Sequence, residues 1–183
     1  MVKQPKAGLV KTRLGAGIGM TDAAWWFRHQ ALGLIRRLRD PRWELVLSVA
    51  PDRTAQSSRV WPRDLRRIPQ GSGDLGHRMS FALTHFRGPA ILIGADIPAI
   101  TKDHIKRAFA ALGNSASVIG PATDGGFWLV GLRHPQSQPA RLFHGVRWSA
   151  KQTLDDALPT LPGPIAIVDT LSDVDTVEDL KPR

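Results

Sequence analysis

The chain has 183 residues, 42% of them apolar and 22% charged, a formal net charge of +9 and no cysteine. That length suits one full-sized domain, residues 1–183, and the composition is that of a globular protein, neither disordered nor disulfide-framed. No apolar run approaches the ~20 residues that span a bilayer and no secretory signal follows Met1, so neither membrane partner nor export is expected and the cytoplasm is the expected compartment.

The chain opens on a basic, glycine-spaced stretch, Lys3-Gln4-Pro5-Lys6-Ala7-Gly8-Leu9-Val10-Lys11-Thr12-Arg13, followed by Gly15, Gly17 and Gly19. Glycines let backbone N–H groups approach an anion, and Lys3, Lys11 and Arg13 supply cationic donors suited to phosphate oxygens. The spacing is neither that of a P-loop nor that of a dinucleotide-binding fingerprint. Only three residues precede this loop, where an α/β domain normally has a central strand. The first strand is therefore expected to be truncated, the sequence beginning at an internal methionine.

Thr21-Asp22 then lead into Ala23 to Leu38, where Trp26, Phe27, Leu32, Leu34, Ile35 and Leu38 recur at helical spacing up to Asp40-Pro41. Trp43 to Ala50 is β-prone. The basic clusters at Arg36, Arg37 and Arg39 and at Arg63, Arg66 and Arg67 do not interleave with aromatics as a single-strand-binding platform would, and read as a solvated helix end and loop. Gly71-Ser72-Gly73-Asp74 opens a helix from about Asp74 to Phe86, a place where an N-terminus could receive a base or anion beside Arg78.

Pro89 to Gly94 is a continuous apolar run of the kind expected for a buried parallel strand, and Gly94-Ala95-Asp96-Ile97-Pro98 follows it directly. Ligands of open parallel sheets bind beyond the carboxyl ends of strands, which makes Asp96 a metal candidate; an Asx turn before Pro98 is the competing reading. A capped helix spans about Thr101 to Leu112. Ser117 to Gly120 and Phe127 to Leu132 are strands around Asp124-Gly125-Gly126, a hairpin signal that also offers Asp124 to an acceptor hydroxyl, with Trp128 as a stacking face. Residues 134–140 read as a surface loop. After a last strand at Ile165 to Val168 comes Asp173-Val174-Asp175-Thr176-Val177-Glu178-Asp179, whose aspartates could join Asp96 around a hard cation. Equally, Asp175 or Thr176 could cap a short final helix. Strands alternating with helices imply an α/β fold with a mostly parallel sheet covered on both faces.

In order, Lys-x-Pro-x-x-Gly-x-Val-Lys-Thr-Arg-Leu, Gln-Gly-x-Gly-Asp-Leu-Gly-x-Arg-Met, Ile-Gly-Ala-Asp-x-Pro, Gly-Pro-Ala-x-Asp-Gly-Gly-Phe-Trp-Leu-Val-Gly-Leu, Phe-x-Gly-Val-x-Trp-Ser and Asp-Val-Asp-Thr-x-Glu-Asp-Leu resemble the DUF2064 family from Lys3 to Leu180. That family is grouped with nucleotide-diphospho-sugar transferases of the glycosyltransferase-A (GT-A) type and is more distantly similar to cofactor-biosynthesis guanylyltransferases. The resemblance implies a Rossmann-like GT-A fold, a nucleotide held by the first loop and a divalent metal near the Asp-x-Pro segment. Two departures stand out: Pro5-Lys6-Ala7-Gly8 where the family has Pro-x-Pro-Gly, and Ala150 where Trp-Ser-Thr is usual.

The expected activity is metal-dependent glycosyl transfer from a nucleotide-diphospho-sugar to a small-molecule acceptor. Mg²⁺ or Mn²⁺ would be held by Asp96 and Asp175, and the nucleotide and its phosphates by Lys3, Gly8, Lys11, Thr12, Arg13, Gly73, Asp74 and Arg78. The acceptor would meet Gly125, Gly126, Trp128 and Trp148, with Asp124 and Lys11 as catalytic groups. Nucleotidyl transfer, in which a phosphorylated acceptor attacks an NTP and pyrophosphate leaves, uses the same loop and is the alternative. A non-catalytic nucleotide- or nucleic-acid-binding module explains the charge but not the ordered glycines and acids, so nucleic acid is not the expected partner.

Overall fold

The computed structural model describes residues 1–180; the last three residues of the expected 1–183 domain lie outside the described range. Three short strands, β1 (Val2–Lys3), β2 (Leu47–Ala50) and β3 (Arg67–Pro69), form a parallel sheet in the order β1-β2-β3. Four more, β4 (Ala90–Ile93), β5 (Ser117–Pro121), β6 (Phe127–Leu132) and β7 (Ile165–Ile167), form a second sheet in the order β4-β6-β5-β7. The Met1 amino group donates to the Ile93 carbonyl at 2.6 Å, joining the two sheets where β1 passes β4.

One strand direction differs from expectation. The tight turn after β5 forces β6 to return antiparallel, and β6 inserts between β5 and β4, so the apolar run of β4 pairs antiparallel with β6. The pairs β1–β2, β2–β3 and β5–β7 are parallel. β4 reads as continuously apolar because helices cover both faces of its sheet, not because its neighbour is parallel.

The helices are α1 (Thr12–Ile18), α2 (Met20–Arg37), α3 (Leu75–Thr84), α4 (Lys102–Ala111) and the short α5 (Thr153–Ala157). α2 spans the junction of the sheets: Phe27, Ala31 and Ile35 pack with Leu47 and Val49, whereas Leu34 and Leu38 pack with α4, Val118 and Leu129. α3 covers the opposite face, where Met79 and Leu83 meet Ile119, Val130 and Leu132. The alternation Val118/Ile119 and Leu129/Val130 sends neighbouring side chains to opposite faces. Each such fully buried side chain contributes roughly 1.5–3 kcal/mol.

Asp74 caps α3 by accepting from the His77 N–H, and Thr101 and His104 cap α4 reciprocally. The Arg63, Arg66 and Arg67 cluster is not uniformly solvated. Arg67 is 9% exposed, and its guanidinium donates to the carbonyls of Ala55, Ser58, Trp61 and Pro62.

Candidate functional site

The first loop and the end of β4 meet at the C-terminal ends of β1 and β4. Gly8 takes a positive φ of 75°, and the Leu9 N–H closes the turn on Lys6. Val10 is buried and Leu9 is 63% exposed. Lys11 is left-handed (φ 47, ψ 48) and is the residue from which α1 begins, so Thr12 and Arg13 stand in the first helical turn and not in a loop. This backbone turns the Lys11 side chain inward, where it is 6% exposed.

Lys11 Nζ lies 2.7 Å from Asp96 Oδ2 and 2.6 Å from Asp175 Oδ1; Arg13 reaches the other Asp175 oxygen at 3.3 Å. Burial disfavours the Lys11 ammonium, but Asp96 and Asp175 outweigh it and raise its pKa above the ordinary lysine value. In the folded chain Lys11 is therefore the counter-ion of two carboxylates, a pairing its basic, glycine-flanked surroundings in the sequence do not announce.

Asp173, which nothing in the sequence distinguishes from the other acids of its motif, completes the acidic group. One oxygen from each of Asp96, Asp173 and Asp175 lies within 4.8 Å of the others, an all-oxygen donor set of the kind hard divalent cations take. Burial first, then the carboxylates of Asp175, Asp124 and Asp96, push the Asp173 pKa up to about 6, with Lys11 pulling the other way. One hydrogen bond and one buried side chain position the group: the Val174 N–H donates to the Asp96 carbonyl at 3.4 Å, and the Val174 side chain is buried.

Asp179, not Asp175 or Thr176, is the capping side chain of the final turn. Its Oδ2 accepts from the Asp175 N–H, the Thr176 N–H and the Thr176 hydroxyl. The Asp175 carboxylate is thereby left to the site.

These groups line a cavity of about 770 Å³. Lys3, Lys11, Thr12 and Arg13 line it with Asp96, Asp173 and Asp175, and so do Asp124, Gly126, Phe127, Trp148 and Lys151. Lys151 carried no signal in the sequence beyond its place after the Trp-Ser motif. Asp124 accepts from the Gly126 N–H at 2.9 Å. Gly125, at φ 91°, is not a wall residue: a Cβ there would lie 2.3 Å from the Lys151 carbonyl oxygen, so this glycine is what lets the hairpin turn seat against residues 150–152. Beside Ala150, the Thr153 hydroxyl accepts from the Ala150 N–H and lies 2.7 Å from both the Arg147 and Ala150 carbonyls, between which its single hydrogen is shared.

Other candidates fall elsewhere. Gly73, Asp74 and Arg78 do not line the cavity; Asp74 caps α3 and bonds the His77 ring, and Arg78 donates to the Gly73 carbonyl. Gly8 shapes the first turn without forming a wall. Trp128 touches the cavity but is 2% exposed, with its indole N–H donating to the Asp169 carbonyl, so it supports the wall and presents no free stacking face. Trp148 packs edge-on against Phe127 and Phe143. Among the described residues, no helix is long and apolar enough to cross a membrane.

The chain is similar to a Desulfovibrio desulfuricans G20 protein of known crystal structure, provisionally named a nucleotide-diphospho-sugar transferase. Identity is 29% and the TM-score 0.85, over 98% of this chain and 81% of that one. It shares its fold with Rv0371c from Mycobacterium tuberculosis H37Rv at TM-score 0.53 and 15% identity, over 84% of this chain and 80% of that one. No curated protein matches it. The α/β fold is thus that of the Desulfovibrio protein. Residues 34–150, well over half of the chain, match the family described as uncharacterized protein conserved in bacteria, and the protein belongs to this DUF2064 family.

Proposed function

We infer that the protein is a divalent-metal-dependent transferase that takes a nucleotide-diphospho-sugar and passes its glycosyl group to a small-molecule acceptor. The observation that carries this reading is the convergence of Asp96, Asp173 and Asp175 beside Lys11 and Arg13 in one large cavity. The Desulfovibrio protein's name points the same way.

In this reading the three carboxylates hold Mg²⁺ or Mn²⁺, which would supply charge neutralisation to a diphosphate. Lys3 and Arg13 line the same cavity and carry cationic groups toward the phosphate oxygens, while Lys11 is drawn between the carboxylates and the diphosphate. As the bond from sugar to diphosphate breaks, negative charge grows on the departing nucleotide, and prepositioned cations stabilise that charge without reorganising. Asp124 lines the same cavity, its carboxylate oriented by the Gly126 N–H, where it would accept the acceptor's hydroxyl proton. Phe127 and Trp148 give the cavity an apolar surface.

The test is turnover against a panel of nucleotide-sugars and NTPs with and without Mn²⁺. Nucleoside diphosphate release from a nucleotide-sugar, dependent on Mn²⁺ and lost in Asp96→Asn, is the expected result. Pyrophosphate release from an NTP with a phosphorylated acceptor, without sugar transfer, would instead establish nucleotidyl transfer.

A further inference from the structure

The loop between β2 and β3 builds a second recess that shares no lining residue with the first cavity. Its volume is about 340 Å³, and Arg59, Arg63 and Arg67 line it with Gln56, Ser57 and Ser58. None of these three arginines has a carboxylate partner among the described residues. The only acids between residues 51 and 67 are engaged elsewhere: Asp52 accepts from the Gln70 and Gly71 N–H groups, and Asp64 pairs with Arg39. Arg66, the next cation along, faces Glu44.

The three arginines differ in what they are free to do. Arg67 is buried, and both of its terminal nitrogens are spent on the carbonyls of residues 55, 58, 61 and 62, while its Nε has no partner among the described residues. Carbonyl dipoles satisfy those N–H donors but do not neutralise the charge, so a buried positive charge stands at the floor of the recess. Arg59 and Arg63 are exposed and make no hydrogen bond or ion pair among the described residues. Loop folding thus crowds three like charges together without an acid, an arrangement that an oxyanion relieves. Guanidinium forks match phosphate geometry better than any other side chain. The Ser58 hydroxyl, on the same loop, donates to the Gln4 side chain at 2.7 Å, tying the recess to the back of the first loop.

We propose that this recess is a second anion site that takes a phosphoryl dianion, either free or as the terminal phosphomonoester of a small metabolite. Arg59 and Arg63 grip the oxygens, and Arg67 provides the fixed positive floor. The site does not depend on the metal-dependent transfer inferred above.

The test is calorimetry in EDTA at constant ionic strength, with pyrophosphate, inorganic phosphate and glycerol phosphate as probes. Loss of two charge-assisted contacts should weaken pyrophosphate binding at least about tenfold in Arg59→Ala/Arg63→Ala, and more in Arg59→Glu/Arg63→Glu. Arg28→Ala/Arg36→Ala, which removes the same charge from exposed positions of α2 outside both recesses, should leave it within about twofold. The exposed substitutions should leave the melting curve intact, which separates loss of binding from loss of fold. Tighter binding of inorganic phosphate would identify the free ion as ligand, and tighter binding of glycerol phosphate the ester. Equal pyrophosphate affinity in wild type and both Arg59/Arg63 variants, or equal loss in Arg28→Ala/Arg36→Ala, overturns the proposal. So does affinity that appears only with oligonucleotides and grows with their length.

Discussion

Replacing Lys11 by Met keeps the buried aliphatic stem and removes the ammonium. In the metal-free protein this strips the counter-ion from Asp96 and Asp175, whose side chains are 32% and 33% exposed, while the lysine itself is only 6% exposed. Removing one partner of a fully buried pair costs about 3–5 kcal/mol, and of an exposed pair at most about 1. A pair buried on one side and screened on the other should lie between, at about 1–3 kcal/mol. The same interaction opposes metal entry, because a divalent cation must displace or tolerate the ammonium between the two oxygens. If most of that energy is returned to the cation, Mn²⁺ should bind Lys11→Met about tenfold to a hundredfold more tightly, at 1.4 kcal/mol per factor of ten. Thermal melts in EDTA and calorimetry with Mn²⁺ measure the two effects separately. The pairing is opposed if the metal-free melting temperature is unchanged and Mn²⁺ affinity does not rise. If Mn²⁺ binds neither protein, the metal site itself is wrong. Transferase turnover should nevertheless fall in Lys11→Met, since the diphosphate loses a cation.

The carboxylates and their supports give further expectations. Asp96→Asn should remove the Mn²⁺-dependent rise in melting temperature that wild type shows at saturating metal; a retained rise would remove Asp96 from the ligand set. Asp173 provides the pH dependence: its pKa is raised from 3.8 to about 6, so in the metal-free protein its stabilising contribution is full below about pH 4 and is lost as pH rises through about 6. Cations need the ionised form, so the Mn²⁺-induced shift should grow between about pH 5 and 7.5, and Asp173→Asn should flatten that profile. Gly125→Ala forces a side chain onto the Lys151 backbone at a positive φ and should cost more than about 2 kcal/mol by urea denaturation. Asp179→Ala touches no ligand atom yet frees the turn that presents Asp175. Mn²⁺ affinity should drop several-fold with global stability reduced by about 1 kcal/mol; unchanged affinity would show that Asp175 positions itself.

Much of the fold was legible where burial and local chemistry agreed. The capped helices at α3 and α4 and the apolar runs of β4, β5 and β6 announce themselves because Asp74 and Thr101 cap where hydrophobic periodicity begins. α1 was illegible: Thr12–Ile18 contains two glycines and two polar residues, and it is held as a helix by Leu14, fully buried, and by packing on α2. β3 was hidden in the same way, since a three-residue strand with a charged Arg67 and a Pro69 has no strand propensity to read; pairing with β2 creates it. The antiparallel insertion of β6 could not be seen in the apolar run of β4, because a strand covered on both faces looks alike beside either kind of neighbour.

The site divides along a similar line. Asp96 could be chosen from its place after a strand, a relation local in sequence. Asp173 and Asp175 belong to a segment with two competing uses, ligation and capping, and sequence alone leaves the acids interchangeable. The structure separates them by number of donors. Asp179 accepts three bonds from its own turn, which fixes it as the cap, whereas among the described residues the Asp175 carboxylate receives only Lys11 and Arg13, from 164 and 162 residues away. The same long-range pairing altered the meaning of Lys11. A lysine in a glycine-flanked basic loop reads as a phosphate ligand because nothing nearby competes for it, yet the nearest anions in the folded chain are the acids that would hold the metal. Binding of metal and of diphosphate are therefore coupled through a single ammonium: whatever neutralises Asp96 and Asp175 releases Lys11 to the substrate, and whatever holds Lys11 on those carboxylates weakens both. Substrate phosphate should accordingly tighten Mn²⁺ binding in wild type, and this coupling should diminish in Lys11→Met.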